Sequence, residues 1–342
     1  MKAIVFEKVG GPEVLKISSV PKPSPNAGEV IVKVRACALN RIDYYLRIEE
    51  DDAMPMPHIL GSDVAGVVES VGDKVTGWKA GDAVIVCPSI TCGECEQCRA
   101  GNESLCDYFR ILGYQTQGGY AEYVTVPARN LIQKPERLTY EEAAAIPMVY
   151  VTTFHQLFTR GKLRPSETVL VMGANSGIGS AAIQLCNAAG ARVIATIGRD
   201  DRRDQVTELG AHAIVNHKSP SWPSEVLRLT NQKGVSLICE HFGGEYLTQC
   251  LSLLSVGGRL ITIGYTAGSQ LTIDLGTILR KQITFGTSYM GSKMELLQAL
   301  KLMDIKNVKP AISNVFPLDE ARKAHELMES RNHFGKIVLR VS

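Results

Sequence analysis

At 342 residues, 45% of them hydrophobic and 21% charged, the chain is long enough for about two domains, each burying a core of its own. A formal net charge of +2 excludes the electrostatic footprint of a nucleic-acid binder; the nearest approach to a basic stripe, Arg199 to Arg203, contains Asp200 and Asp201. The apolar runs are short and broken by polar residues or Pro147, so neither a membrane nor nucleic acid is expected as a partner.

The opening Met1-Lys2-Ala3-Ile4-Val5-Phe6 reads as a strand rather than a secretory signal, which predicts a cytoplasmic protein. Strand-period alternation follows over Glu29–Arg35, Ala65–Val71 and Asp82–Val86, with turn signals such as Val9-Gly10-Gly11-Pro12 and Val71-Gly72-Asp73 between strands. A β-rich unit with few helices is expected to about residue 125.

Four of the nine cysteines lie between Cys92 and Cys106. The spacing Cys92-x2-Cys95-x2-Cys98-x7-Cys106 lets four thiolates close a tetrahedral zinc site without long loop closure. Such a site has no open position and is structural; local disulfides or an iron–sulfur cluster suit this loop less well. Cys37, Cys87, Cys186, Cys239 and Cys250 are scattered in apolar surroundings and are expected as reduced core residues.

From about residue 140 the period changes and strand alternates with helix, which implies a parallel sheet covered on both faces. The strand Thr168–Met172 runs into Gly173-Ala174-Asn175-Ser176-Gly177-Ile178-Gly179 and then a helix to Ala189. Glycines there let the backbone approach a pyrophosphate, and the helix start directs N–H groups at the anion. The next strand ends in Ile197-Gly198-Arg199 with no carboxylate in register. Arg199 suits a 2′-phosphate, so NADP(H) is expected; counting from the glycines would instead nominate Asp200 and NAD(H). His217-Lys218, after the third strand of this unit, and Gly264, closing a later one, are further candidates for contact with the nucleotide. His58, His155 and His241 are expected as satisfied or surface residues.

The turn's Gly-x-x-x-Gly-x-Gly spacing and Tyr289-x-x-x-Lys293 resemble the short-chain dehydrogenases, but a whole β-rich domain precedes the turn here, and the pair reads as a decoy. The combination of Met1–Phe6, Gly61-x-Asp63-x-x-Gly66-x5-Gly72-x-x-Val75, Lys79–Val84, the cysteine lobe and Gly257-Gly258-Arg259 resembles the medium-chain dehydrogenase/reductase superfamily over essentially the whole chain. That resemblance implies an α/β architecture: a GroES-like catalytic domain at 1–149, completed by 289–342, and a Rossmann domain at 150–288. It also implies an active site in the cleft between them, a small-molecule substrate and a homodimer or homotetramer.

Zinc-dependent alcohol dehydrogenases of that family hold a catalytic zinc through a Cys, a Gly-His-Glu motif and a later Cys. The matching positions here carry Asn40, Ser62 with Asp63, and Met148, which leaves no zinc ligand set; Cys37 is three residues early and is expected to face elsewhere. The stretch Ala38-Leu39-Asn40-Arg41-Ile42-Asp43-Tyr44-Tyr45 instead resembles the zinc-independent, NADPH-linked quinone oxidoreductases, which usually lack the lobe. The resemblance nominates Asn40 as donor to substrate oxygen or cofactor, Asp43 as its orienting group, Tyr45 as proton donor, and Thr152, with its neighbour Thr153, beside the nucleotide. The expected activity is NADPH-dependent hydride transfer to a quinone or α,β-unsaturated carbonyl compound without a catalytic metal. The alternatives are an NAD(P)-dependent alcohol dehydrogenase and a non-enzymatic nucleotide- or RNA-binding relative.

Overall fold

The computed structural model describes residues 1–342 and divides into two compact units, Met1–Val149 with Gly291–Leu297 and Lys309–Ser342, and Tyr150–Met290 with Gln298–Val308. The helix Lys293–Ile305 is divided between the units, Lys293–Leu297 falling in the first and Gln298–Ile305 in the second. It buries Leu296 in its first half and Ala299 and Met303 in its second.

The first unit is built on a seven-stranded sheet. Its path runs Ile312–Pro317, Lys336–Arg340, Glu29–Ala38, Asp63–Val71, Ala83–Val86, Leu131–Gln133, with Tyr123–Pro127 also paired to Glu29–Ala38. Only the first pair is parallel. Val30, Val32, Val34, Val64, Val68 and Leu339 carry the core of this sheet, as period-two patterning requires. Register then sets up the site. Ala38 pairs with Asp63 on one side and Val338 on the other, and the Leu39 N–H donates to the Ile337 carbonyl at 2.9 Å. Asn40, Asp63 and Lys336 are thereby brought to one end of the sheet. The cysteine loop leaves and returns through the antiparallel pair Ser89–Ile90 and Arg110–Ile111, which ties its base.

The second unit is a six-stranded, all-parallel sheet. In chain order its strands are Thr168–Val171, Arg192–Ile197, Ala213–Asn216, Val235–Glu240, Leu254–Thr262 and Thr284–Thr287. In space they run third, second, first, fourth, fifth, sixth, so the direction of winding reverses between the first and the fourth strand. Leu170, Ile194, Val215, Ile238 and Leu260, one from each of five strands, are fully buried in its core. Ligands of doubly wound sheets bind outside the carboxyl ends of the strands at such a reversal. The glycine turn after Val171 and the segment His241–Gly244 after Glu240 stand at that point. No helix of either unit is long and apolar enough to cross a membrane.

Candidate active site

Asn40 is the N-cap of the helix Arg41–Ile48, whose third residue is Asp43. The Asp43 carboxylate accepts the Asn40 N–H at 2.7 Å and the Gly61 N–H at 3.2 Å, tying the helix start to the strand entry at Gly61-Ser62-Asp63. Full burial pushes the Asp43 carboxyl up to about 7, against the bond from the Asn40 N–H and the charge of Lys336.

The side chain of Asn40 is committed as well. Its Oδ1 accepts from Lys336 Nζ at 2.6 Å and its Nδ2 donates to Asp63 Oδ2 at 2.9 Å. Lys336 can only donate, which fixes the orientation of the amide. The same ammonium donates to Asp63 Oδ2 at 2.9 Å, and the Met148 N–H closes the other carboxylate oxygen at 2.7 Å. This ion pair is buried, with the Lys336 side chain 4% exposed and that of Asp63 0%. Beside Asp63 in the chain, the Ser62 hydroxyl is buried and has no partner. The expectation that Asn40 simply faces a ligand therefore needs refinement: one Nδ2 proton is left to it. Tyr45 lies half-buried on the outward run of the same helix, edge-on to Tyr44 at 5.5 Å with the Arg41 guanidinium 5.4 Å from its ring. Cys37 faces inward against Gly61, where a Cβ would fall 2.7 Å from its sulfur, and burial drives its thiol well up. Gly61, at φ +105°, is thus required both by conformation and by space.

Lys336 was not singled out from the sequence. The signal was present: a lysine opening the apolar strand Ile337-Val338-Leu339 is placed for burial, and buried lysines need an acidic partner.

At the nucleotide turn, Gly173 has φ +63°, and a Cβ there would lie 2.8 Å from Phe242 and 3.0 Å from His241. A Cβ on Gly179 would fall 2.1 Å from the Gly173 carbonyl oxygen, so the helix can approach the strand only at a glycine. Ser176 caps the helix Gly177–Ala188, accepting from the Gly179 N–H at 2.9 Å, while Ala174 donates to the Thr196 carbonyl at 2.8 Å. The first-turn N–H groups of Gly177 and Ile178 have no acceptor within the helix, the condition for seating an anion. The turn fits the diphosphate of a dinucleotide.

Beyond the second strand the Arg199 guanidinium pairs with Asp201 at 2.7 Å, and both side chains are exposed. Asp200 is held by Asn216 at 2.9 Å and by Arg203 at 2.9 Å, which keep its carboxyl below the usual range. His217 stands beside Gly198, where a Cβ would be 3.2 Å from its Nε2, and its buried Nδ1 has no partner. Its ring is edge-on to Phe242 and Tyr246 at 5.3 and 5.5 Å, and burial, aided by Lys218, lowers it to about 4. His241, expected as merely satisfied or superficial, belongs to the turn: its Nε2 is 3.4 Å from Ser176 Oγ, and burial lowers it to about 4. Its place directly after the fourth strand, at the reversal, was the available signal. Gly264 closes over this residue, where a Cβ would be 2.9 Å from the His241 carbonyl oxygen. Thr152 Oγ1 contacts Met290 Sδ at 3.7 Å, and the Thr153 hydroxyl is buried without a partner.

The sulfurs of Cys92, Cys95, Cys98 and Cys106 all lie within 4.8 Å of one another, with Cys92 Sγ 3.8 Å from Cys98 Sγ and 3.6 Å from Cys106 Sγ. A tetrahedral zinc with Zn–S near 2.3 Å has S···S edges of about 3.8 Å, so the donor set fits that ion. N–H groups of Glu94 and then Cys95 lower the Cys92 thiol to about 6, favouring the thiolate that a metal needs. The five other cysteines are buried.

Two family models match: an alcohol dehydrogenase GroES-like domain over residues 26–136 and a zinc-binding dehydrogenase over residues 177–304. The chain is 32% identical to a quinone oxidoreductase of Homo sapiens over 350 residues, covering 99% of this chain and 97% of that one. It is also 32% identical to an NAD-dependent alcohol dehydrogenase of Sulfurisphaera tokodaii, over 99% of both chains. A crystal structure of an NAD-dependent alcohol dehydrogenase superposes with a TM-score of 0.96 at 40% identity over 100% of each chain. The chain belongs to the medium-chain dehydrogenase/reductase superfamily and is an oxidoreductase of that family.

Proposed function

We propose that this enzyme uses NADPH to reduce quinones or α,β-unsaturated carbonyl compounds and that its redox site takes no metal. The observation carrying this reading is the state of Asp63. The carboxylate at the position of a metal-site residue in zinc-dependent relatives is already neutralised by Lys336 and held by Asn40 and the Met148 N–H. The other matching positions carry an amide at Asn40, a hydroxyl at Ser62 and a thioether at Met148, none of them a zinc donor of the usual kind.

When bound, the reduced nicotinamide supplies a hydride. Charge arriving on a quinone or an enone spreads through the conjugated system, so the acceptor needs less electrophilic help than a simple ketone. In this reading that help comes from the remaining Nδ2 proton of Asn40 and from the Ser62 hydroxyl, which has no partner within the protein. Asp43 orients Asn40, and Tyr45 supplies the proton that balances the hydride. Gly173, Ala174, Ser176, Gly177, Ile178 and Gly179 seat the diphosphate. Gly198, Arg199 and His217 take the adenosine phosphate, with Thr152 and Gly264 completing the cofactor contacts. Preference for NADPH rests on Asp200 being tied to Arg203 and Asn216, which leaves no carboxylate dedicated to a free ribose hydroxyl. The cysteine lobe holds one structural zinc.

The alcohol dehydrogenase relatives favour a second reading, oxidation of simple alcohols with NAD(P). One experiment separates them: zinc per chain, together with NADPH and NADH consumption against quinones, enones and simple alcohols before and after chelation. The proposal expects one zinc per chain and quinone or enone turnover that survives chelation. A second zinc, or alcohol turnover lost on chelation and restored only by zinc, overturns it.

A further inference from the structure

The fourth strand of the parallel sheet, Val235–Glu240, ends in a carboxylate that none of the roles above uses. Glu240 is 0% exposed and stands opposite Thr262, the last residue of the fifth strand, in their parallel register. Its Oε2 accepts the Thr262 hydroxyl at 2.7 Å, and its Oε1 accepts the Gly243 N–H at 2.9 Å and the Phe242 N–H. The Glu240 carbonyl accepts the Ile263 N–H at 3.1 Å and one Nε2 proton of Gln156 at 3.1 Å. The other Gln156 proton goes to the Ile261 carbonyl at 2.7 Å. One buried residue thus joins the ends of two strands to the segment that follows the first of them.

That segment, His241–Gly244, stands against the nucleotide turn. A Cβ on Gly173 would meet the Phe242 ring at 2.8 Å, and His241 Nε2 lies 3.4 Å from Ser176 Oγ. The Phe242 carbonyl accepts the Ala267 N–H at 2.6 Å, which ties the segment to the chain beyond the fifth strand as well. Gly243 and Gly244 have φ of +72° and +55°, backbone that glycine takes freely and does not fix by itself. An acceptor that binds two N–H groups of the segment supplies the constraint. An ionised carboxylate can only accept, so Thr262 must donate to it. Burial raises the Glu240 carboxyl, and the Thr262 hydroxyl first, then the Gly243 and Phe242 N–H groups, oppose that rise.

We propose that Glu240 is a positioning residue for the nucleotide, holding His241, Phe242 and Gly243 against the glycine turn in the arrangement that receives the diphosphate. The role rests on that turn seating the cofactor, as read above. It belongs to the accepted hydrogen bonds and not to the charge. Glu240→Gln keeps an acceptor for both N–H groups and can donate to Thr262 Oγ1, whose own proton then turns to the Gly264 carbonyl at 3.1 Å. Glu240→Leu, of similar size, offers no acceptor and leaves two N–H groups and a hydroxyl without one.

The hold on the segment can be read without ligand, by hydrogen exchange. In the native protein the Phe242 and Gly243 amides should exchange slowly although they lie outside the sheet, and this measurement needs no variant to fold. Exchange at the rate of an open loop overturns the proposal. In Glu240→Leu the same amides should exchange about tenfold faster or more, and in Glu240→Gln near the native rate. Fluorescence titration with NADPH should show a Kd raised about tenfold in Glu240→Leu and within about threefold of native in Glu240→Gln. With a quinone or enone, the KM for NADPH should rise in Glu240→Leu while kcat at saturating NADPH stays within about twofold. Native affinity in folded Glu240→Leu overturns the proposal, and so does equal weakening in Glu240→Gln, which would assign the effect to charge. A native protein that binds neither NADPH nor NADH overturns the functional reading instead, and the exchange pattern, taken without nucleotide, tells the two failures apart.

Discussion

The cysteine lobe and the Asn40–Asp63–Lys336 group lie in the same unit and gather polar atoms in opposite ways. In the lobe, four donors fall within 15 residues of chain, from Cys92 to Cys106, and the turns between them bring their sulfurs within 4.8 Å. In the buried group, the partners come from a helix cap, two strands and a helix start, and Lys336 is 296 positions from Asn40. The first arrangement is assembled by short loops, the second by sheet register: Ala38 opposite Asp63 and Val338. Groups collected by loop spacing are visible as a motif; groups collected by register have no motif at all.

The sharpest way to break this comparison is Lys336→Met. It leaves Asp63 charged, buried and without its counter-ion, and removal of one member of a buried pair costs about 3–5 kcal/mol. Denaturant unfolding should show that loss, and adding Asp63→Asn should recover much of it. A single variant as stable as the native protein would make the register-built group incidental.

Cys106→Ser tests the other side. Metal content should fall from one zinc per chain to near none, with a loss of several degrees in melting temperature. Turnover of the molecules that remain folded should persist, since a closed four-sulfur site supports structure rather than chemistry. Loss of turnover in proportion to zinc would join the two regions into one function.

The same division governs how much could be read in advance. The parallel sheet was legible because Thr168–Val171, Arg192–Ile197 and the helices between them are continuous apolar segments with glycine at their junctions. The glycine turn between Val171 and the helix Gly177–Ala188 was legible for the same local reason. Asn40, Ser62 and Met148 were found by matching positions, but what they touch was not. The amide's bond to Lys336 and the buried hydrogen bonds of His325 to Tyr120 and Arg47 each depend on residues hundreds of positions apart, and the orphan Ser62 hydroxyl follows from packing that no motif records. The place of His241 beside the glycine turn was not legible, because it comes from the order of strands in space and not from its neighbours in the chain.

Arg199→Ala sharpens the reading of a motif that is local and yet ambiguous. The guanidinium now rests on Asp201, an exposed pair of little energetic value that a 2′-phosphate can outcompete with a bidentate contact. The KM for NADPH should rise about tenfold with little change for NADH, the size of one charge-assisted contact. Equal effects on both cofactors would return Asp200 and NADH to the first place.

The smallest effect is expected where a local motif is built into nothing. Tyr289 and Lys293 have the spacing of a catalytic pair on one helical turn, but that geometry requires both residues to be helical. Here the helix begins at Lys293, Met290 has φ +52°, and Tyr289 therefore lies outside the turn that would align the two side chains. The Lys293 ammonium donates to the Arg129 carbonyl at 2.6 Å, and its N–H donates to the Glu103 carboxylate at 2.8 Å. Tyr289→Phe should accordingly leave quinone or enone turnover within about twofold, whereas loss of a general acid costs about a hundredfold or more. A loss of that size would show that four-residue spacing can assemble a site without a helix, and the distinction between motif and register drawn from the two regions would fail at its simplest case.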